Sequence, residues 1–261
     1  MNVAFTFGRW LMRVRPAPLA VALKRALFLH RRVVTTSGGS FWLDPASDAG
    51  QRVALTGAYE PATVALLRQL LQPGDVYLDI GANEGFLCVA AAHLVGPTGR
   101  VIAVEPQARL QDVLRRNFTL NGSRVEMLPV AVSDQCATAQ LHLAPDVNNS
   151  STGLAAATRY PVATQTVPTV TLSQLLDQLG LTKQFVLKMD IESWEHEAIL
   201  GSPKVFRDGR VRALILELHP ALLTRRGLDP EAVPRFLREC GYDHLPGSHG
   251  CAWARIGAAT Q

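Results

Sequence analysis

The segment Val76-Tyr-Leu-Asp-Ile-Gly-Ala-Asn-Glu-Gly85 places the tightest limit on what this chain can become. A short run of strand-forming residues, Asp75–Ile80, leads into a turn with glycine at 81 and 85, and an alanine-rich helical run, Phe86–Val95, follows at once. Glycine lets a backbone take positive φ and approach a neighbour closely. A strand that enters a helix through such a turn is the opening unit of an α/β sheet, and open sheets of this kind bind ligands at the carboxyl ends of their strands.

A second apolar run, Gly99–Glu105, ends in Val104-Glu105-Pro106, with Glu105 24 residues after Gly81. A carboxylate there can accept hydrogen bonds from both hydroxyls of a ribose. The spacing of the turn is GxxxG, with Asn83 where a dinucleotide turn has its middle glycine. Asp79 precedes the turn and Glu84 lies within it. Negative charge in that place repels a pyrophosphate and suits the sulfonium and ammonium of S-adenosylmethionine. A plain βα turn with a salt-bridged Glu84 is the structural alternative.

The rest of the chain continues the alternation of strand and helix runs. Helical runs are expected at Pro61–Leu71, Gln107–Leu120, Thr171–Leu179 (with Thr171 as N-cap), around Trp194–Leu200 and at Pro230–Cys240. Strands are expected at Arg124–Val130, Ala137–Leu143, Phe185–Asp190, Val211–Leu218 and Cys251–Ile256. The polar segment Asp146–Gly153 reads as a flap over the substrate. No linker divides the body, so the expected organisation is an arm with a β extension, residues 1–58, and one domain, residues 59–261.

The arm differs in charge. Seven of the 26 basic residues and none of the 22 acidic ones fall in residues 1–43, so the remainder is net acidic. The basic isoelectric point therefore belongs to the arm, and a nucleic-acid partner is not expected. Pro16–Arg32 reads as a helix with Leu19, Leu23 and Leu27 on one face. It could pack on the body, lie on anionic lipid, or contact a partner or anionic substrate through residues 1–34. The four cysteines form no CxxC pair, which argues against a zinc site or disulfide scaffold, and no apolar run approaches a membrane span. No secretory leader is read, so the expected location is cytoplasmic. The acceptor sequons at Asn117 and Asn149 are then read as unmodified polar segments.

Taken in order, Asp79-Ile-Gly-Ala-Asn-Glu-Gly85, Glu105-Pro106, Ala131-Val-Ser-Asp134, Lys188-Met-Asp-Ile-Glu192 with Glu195, and Leu216-Glu217 resemble the FkbM-type methyltransferase family, from about Tyr59 to His219. The resemblance implies a Rossmann-like class I methyltransferase sheet with helices on both faces, S-adenosyl-L-methionine as methyl donor, and O-methylation of a carbohydrate or secondary metabolite. It implies that Asp79, Gly81, Ala82, Asn83 and Gly85 face the methionine part of the donor, that Glu105 and Pro106 lie at the ribose, and that Val132, Ser133 and Asp134 lie near the adenine. Glu60 would close over the donor; as first-turn acid of the next helix it would serve only structure. One departure stands out: Ser193 occupies a position that is usually glycine in the family.

Methyl transfer to a hydroxyl needs alignment and a group to take the proton. Asp190, Glu192 and His219 are the catalytic candidates, with Asp190 placed first because it ends the fourth strand. Glu195 could instead serve the dipole of the following helix, and Glu217 could pair with Lys188 or Arg212. Asp, Glu and His are also ordinary metal ligands, but the spacing fixes no geometry and no metal is assigned. Two other functions compete: a non-catalytic binding module built on the same fold, and a nicotinamide-dependent oxidoreductase, which the missing GxGxxG turn disfavours.

Overall fold

The computed structural model describes residues 3–14, 17–144, 152–154, 163–248 and 250–256. The chain opens with α1 (Val3–Leu11), α2 (Ala17–Ala26), the hairpin β1 (Arg32–Thr36) and β2 (Gly39–Leu43), α3 (Asp48–Thr56) and α4 (Pro61–Leu70). The alternating part runs β3 (Val76–Ile80), α5 (Phe86–Val95), β4 (Arg100–Val104), α6 (Ala108–Leu120) and β5 (Glu126–Leu128). Three strands follow, β6 (Ala131–Ser133), β7 (Ala137–His142) and β8 (Thr164–Thr171), then α7 (Leu172–Gln178). The chain continues with β9 (Phe185–Met189), α8 (Glu195–Leu200), α9 (Pro203–Arg207), β10 (Val211–Leu216), α10 (Pro220–Arg225), α11 (Ala232–Glu239), β11 (Tyr242–His244) and β12 (Ala252–Arg255).

The main sheet has the order β11-β12-β10-β9-β3-β4-β5. The strands from β10 to β5 are parallel, and β12 runs antiparallel to both β10 and β11. Successive strand residues face opposite sides. Leu78, Ile80, Ile102 and Leu187 therefore enter one core with α7, α8, α9 and α11, while Tyr77, Val101, Ala103 and Val186 enter the other with α4 and α5. Burial on both faces explains why these strands read as continuous apolar runs. The chain moves outward from β3 to β5 in one direction and from β9 to β10 in the other, so the reversal of strand order lies between β3 and β9. The parallel α/β class expected from the sequence is the one observed.

Two expectations about the arm change. The helix expected over Pro16–Arg32 spans Ala17–Ala26; Phe28 then takes φ of 49°, and Arg32 already begins a strand. The β-branched run Val33-Val34-Thr35-Thr36 pairs antiparallel with β2, and that pairing competes with helix extension. Leu19 and Leu27 are exposed, and Ala20 and Leu29 are buried instead. The arm packs on the body: Phe5, Phe41 and Leu43 share a core with Phe86 and Leu114. Lys24 pairs with Asp44. Val3, Phe7 and Trp10, on the other side of α1, are exposed. Asn117 is fully buried: it accepts a hydrogen bond from Trp42 N at 2.7 Å and donates to Glu84 O at 2.8 Å, tying α6 to the hairpin. Among the described residues no helix is long and apolar enough to cross a membrane, and the cysteines are free.

Candidate active site

A cleft of about 820 Å³, counted out to its open mouth, lies at the carboxyl ends of β3, β4 and β9. The turn after β3 forms its floor. Gly81 has φ of 86°, and a Cβ there would sit 1.9 Å from Asp190 O, so any side chain would push the turn off β9. Asp190 N donates to Ile80 O at 3.1 Å, locking the two strand ends together. Gly85 has φ of 81° and faces the Phe118 ring, where a Cβ would lie 2.6 Å from Cε1.

Asp79 and Lys188 are directly opposed across β3 and β9, and both are buried. Lys188 Nζ lies 3.5 Å from Asp79 Oδ1 and 3.8 Å from Asp190 Oδ2, and donates to Gly81 O at 3.0 Å. Burial alone would lower the lysine pKa; Asp79, Asp190 and Glu60 outweigh it and hold the ammonium charged. Glu105, also buried, accepts from Asn83 N at 2.9 Å and Gln107 N at 3.0 Å. Burial pushes its pKa up to about 7, against those two backbone donors.

The cleft wall takes in Glu60, Asp79, Gly81, Ala82, Asn83, Glu105, Pro106, Val132, Asp190 and Glu192 of the residues expected from the sequence. Glu60 sits at φ of 42° and accepts from Thr63 Oγ1 at 3.1 Å. Gly85, Ser133, Asp134 and His219 lie behind or beside the wall. Ser133 accepts from Trp194 Nε1 at 2.9 Å and donates to Asp134 Oδ1 at 2.9 Å, and Asp134 is exposed. Glu84 is a correction. Its fully buried carboxylate turns away from the cleft into an ion pair with the partly buried Arg31, which leaves it no charge to offer a ligand. Glu217 pairs with neither Lys188 nor Arg212: Lys188 is held between Asp79 and Asp190, and Arg212 binds Asp75 at 2.6 Å. Residues 146–151 of the expected flap lie outside the described residues; Thr152 and Gly153 do line the cleft.

At the far end, Glu192 and Ser193 both have positive φ, 55° and 75°. This turn brings Glu192 and Glu195 toward His219. Glu192 Oε2 lies 3.7 Å from Nε2, Asp190 Oδ1 4.0 Å from Nε2, and Glu195 Oε1 3.7 Å from Nδ1. Glu195 raises the His219 pKa to about 9 against the effect of burial, and Glu192 and Asp190 add to it. Burial raises Glu192 to about 7, with His219 opposing and Asp190 adding. Sequence reasoning missed Tyr59, which stacks on Phe86 with ring centroids 4.6 Å apart and lines the cleft, and did not give Lys188 its place. A lysine inside the apolar run Phe185–Met189 was the available sign, because a buried charge needs a partner.

The donor expected from the sequence can be tested against these residues. Asp79 Oδ1 and Asn83 Oδ1 are buried without a hydrogen-bond partner, both on residues that line the cleft. Among the described residues Asn83 Oδ1 has no donor, and Asp79 Oδ1 has only the Lys188 ammonium, 3.5 Å away, so both keep acceptor capacity for a ligand's ammonium. Glu105 keeps free lone pairs for a ribose, and Val130, Val132, Leu141 and Leu154 give an apolar wall for a base. The residues fit S-adenosylmethionine.

Comparison with known proteins agrees. The sequence model described as Methyltransferase FkbM domain matches residues 79–243. Hexuronic acid methyltransferase AglP of Haloferax volcanii is 25% identical over 183 residues, covering 69% of this chain and 68% of that protein. Protein-L-isoaspartate O-methyltransferase of Aeropyrum pernix is 41% identical over 76 residues, 28% of this chain. The chain spans less than a third of that relative's length, 29%. Among solved structures, precorrin-6y C5,15-methyltransferase of Geobacter metallireducens gives a TM-score of 0.42 at 18% identity, covering 70% of this chain and 71% of its own. Fibrillarin of Aeropyrum pernix, solved with S-adenosyl-L-methionine, gives 0.39 at 14% identity, covering 74% and 72%. With the matched region taking in the turn, Glu105 and the Asp190 cluster, this chain belongs to the FkbM methyltransferase family.

Proposed function

We propose that the protein transfers the methyl group of S-adenosylmethionine to a hydroxyl oxygen of a carbohydrate. The carrying observation is the charge of the cleft. Glu60, Asp79, Glu105, Asp190 and Glu192 line it against one basic residue, Lys188, among the described lining. Such a wall favours a ligand bearing an ammonium and a sulfonium and disfavours a pyrophosphate. Asp79 and Asn83 hold the methionine end, Glu105 the ribose, and the apolar wall the adenine. The bound donor supplies an electrophilic methyl carbon whose leaving group departs as a neutral thioether.

The protein's own part is alignment and proton transfer. Asp190 and Glu192 line the end of the cleft where an acceptor would enter, and one of these carboxylates takes the hydroxyl proton as oxygen attacks. The name of the Haloferax relative supports a sugar acceptor. Two measurements test the reading. Calorimetry should show saturable binding of S-adenosylhomocysteine. Labelled methyl from the donor should appear as an ether on a panel of hexuronic acid and neutral sugar glycosides. Label on carboxylate oxygen, nitrogen or carbon would overturn the O-methyl ether reading.

A further inference from the structure

The strained turn after β9 and the start of α10 bring Asp190, Glu195 and His219 together. One donor atom from each lies within 4.8 Å of the others. The imidazole nitrogens stand 3.7–4.0 Å from the three carboxylates around them. Those separations are too long for hydrogen bonds. Asp190 Oδ1 and Glu192 Oε2 face Nε2 whereas Glu195 Oε1 faces Nδ1, so a cation would take one imidazole nitrogen; with bonds of about 2.1 Å, two donors to one cation stand about 3–4.2 Å apart, and the cluster would draw in slightly around it.

A second observation points to a ligand. Glu195 is fully buried, and its Oε1 accepts from Ile191 N at 2.7 Å, but Oε2 has no hydrogen-bond partner. His219 Nδ1 is likewise buried and unpartnered. A buried carboxylate oxygen left without a donor is costly. Among the described residues no cation reaches Glu195: Lys188 donates to Gly81 O and pairs with Asp79 and, at 3.8 Å, with Asp190 Oδ2, leaving Asp190 Oδ1 toward His219, and Arg226 binds Glu197 and Ser193 O. Three carboxylates, Asp190, Glu192 and Glu195, thus surround a single imidazole.

We propose that Asp190, Glu195 and His219 form a binding site for a divalent cation of the Mn²⁺ type. Carboxylate donors suit Mg²⁺, Ca²⁺ and Mn²⁺, and an imidazole shifts the choice toward a transition metal; Mn²⁺ accepts both. Asp190 lines the cleft, so the open positions of the cation face the acceptor. In the methyl transfer proposed above, on which this role rests, the acceptor hydroxyl oxygen binds the cation and becomes more acidic. Its proton passes to Glu192. An oxygen lone pair then forms the O–C bond while the C–S bond breaks, and that electron pair stays on sulfur. Binding of the cation itself does not depend on the methyl-transfer reading.

The test is electron paramagnetic resonance of Mn²⁺ titrated with the full chain, alongside calorimetric titration of the same samples with S-adenosylhomocysteine. One bound Mn²⁺ per chain is expected, weakened at least about tenfold in Glu195→Gln and in His219→Ala, with S-adenosylhomocysteine binding retained in both. His219 is partly exposed, so its variant carries the comparison if Glu195→Gln does not fold. Wild-type protein that leaves the free Mn²⁺ signal unchanged while binding S-adenosylhomocysteine would overturn the cation site and spare the donor reading. Equal Mn²⁺ binding by wild type and both variants would also overturn it. Mn²⁺ binding without S-adenosylhomocysteine binding would uphold the site and sink the donor reading.

Discussion

Arg31, in the arm, grips Glu84, inside the turn after β3, with two hydrogen bonds of 2.9 Å each. Arg31 also donates to Trp42 O at 3.0 Å, so one guanidinium joins the hairpin to the turn. Glu84 is fully buried and the arginine largely so. Removing one partner of a buried pair leaves an uncompensated charge and costs about 3–5 kcal/mol. At about 2–4 °C per kcal/mol for a chain of this size, Arg31→Ala should lower Tm by roughly 6–20 °C. The double variant Arg31→Met/Glu84→Met should recover part of that loss. A drop under about 2 °C in a melting curve would show that the arm does not hold the turn.

The Glu105 carboxyl gives donor binding a pH dependence of defined sign. Folding raises its pKa from 4.5 to about 7 through burial. Its effect on stability is therefore full below pH 4.5 and lost as pH rises through 7, where a buried carboxylate must form. Ribose hydroxyls donate to the ionised form and compensate that cost. Affinity for S-adenosylhomocysteine should thus rise by up to about tenfold per pH unit below 7 and level off above 8. Glu105→Gln should remove the dependence. Glu105→Ala should weaken binding about 10- to 150-fold. Calorimetry at pH 6, 7 and 8 decides, and parallel pH profiles for wild type and Glu105→Gln would take Glu105 out of the site.

Asp190→Asn separates binding from chemistry. The change keeps the shape of the side chain, and Asp190 N still bonds Ile80 O, so the turn stays in place. Turnover should fall by about 100- to 10,000-fold, with donor affinity changed by less than about threefold. Single-turnover rates on the labelled acceptor measure the first, and calorimetry the second. A rate loss below threefold would mean that Asp190 neither takes the proton nor holds a cation that acidifies the hydroxyl, with Glu192 the next residue to substitute.

Much of this site is legible in the sequence because its residues sit at strand ends, where local pattern and topology coincide. Asp79 lies near the end of one apolar strand run, and Gly81, Glu105 and Asp190 follow such runs. What escapes is set by contacts far along the chain. Glu84 looks like a ligand residue until Arg31, 53 residues earlier, claims it. Tyr59 acquires its place only by stacking on Phe86. The strand Thr164–Thr171 is hidden by Pro168, which interior strands rarely tolerate, although it pairs with both β6 and β7. The helices α1 and α3 fall in stretches where apolar residues occur on more than one side, so periodicity does not single them out.

Ser193 offers a substitution that should stabilise the protein. Its φ of 75° is one that side-chain-bearing residues adopt at a cost of about 1–2 kcal/mol. Its hydroxyl is buried without a hydrogen-bond partner, a second cost. What holds the turn in place is its surroundings: Arg226 donates to Ser193 O, and Glu195 accepts from Ile191 N at 2.7 Å. Neither contact uses the Ser193 side chain. Glycine removes both penalties at once, and the entropy it adds to the unfolded chain offsets only about 0.5–1 kcal/mol. Ser193→Gly should therefore raise Tm by roughly 2–6 °C. Because Glu195 keeps its hydrogen bond from Ile191 N, affinity for S-adenosylhomocysteine should stay within about twofold of wild type. A lower Tm in Ser193→Gly would mean that the serine side chain supports the turn through contacts the hydroxyl geometry does not show.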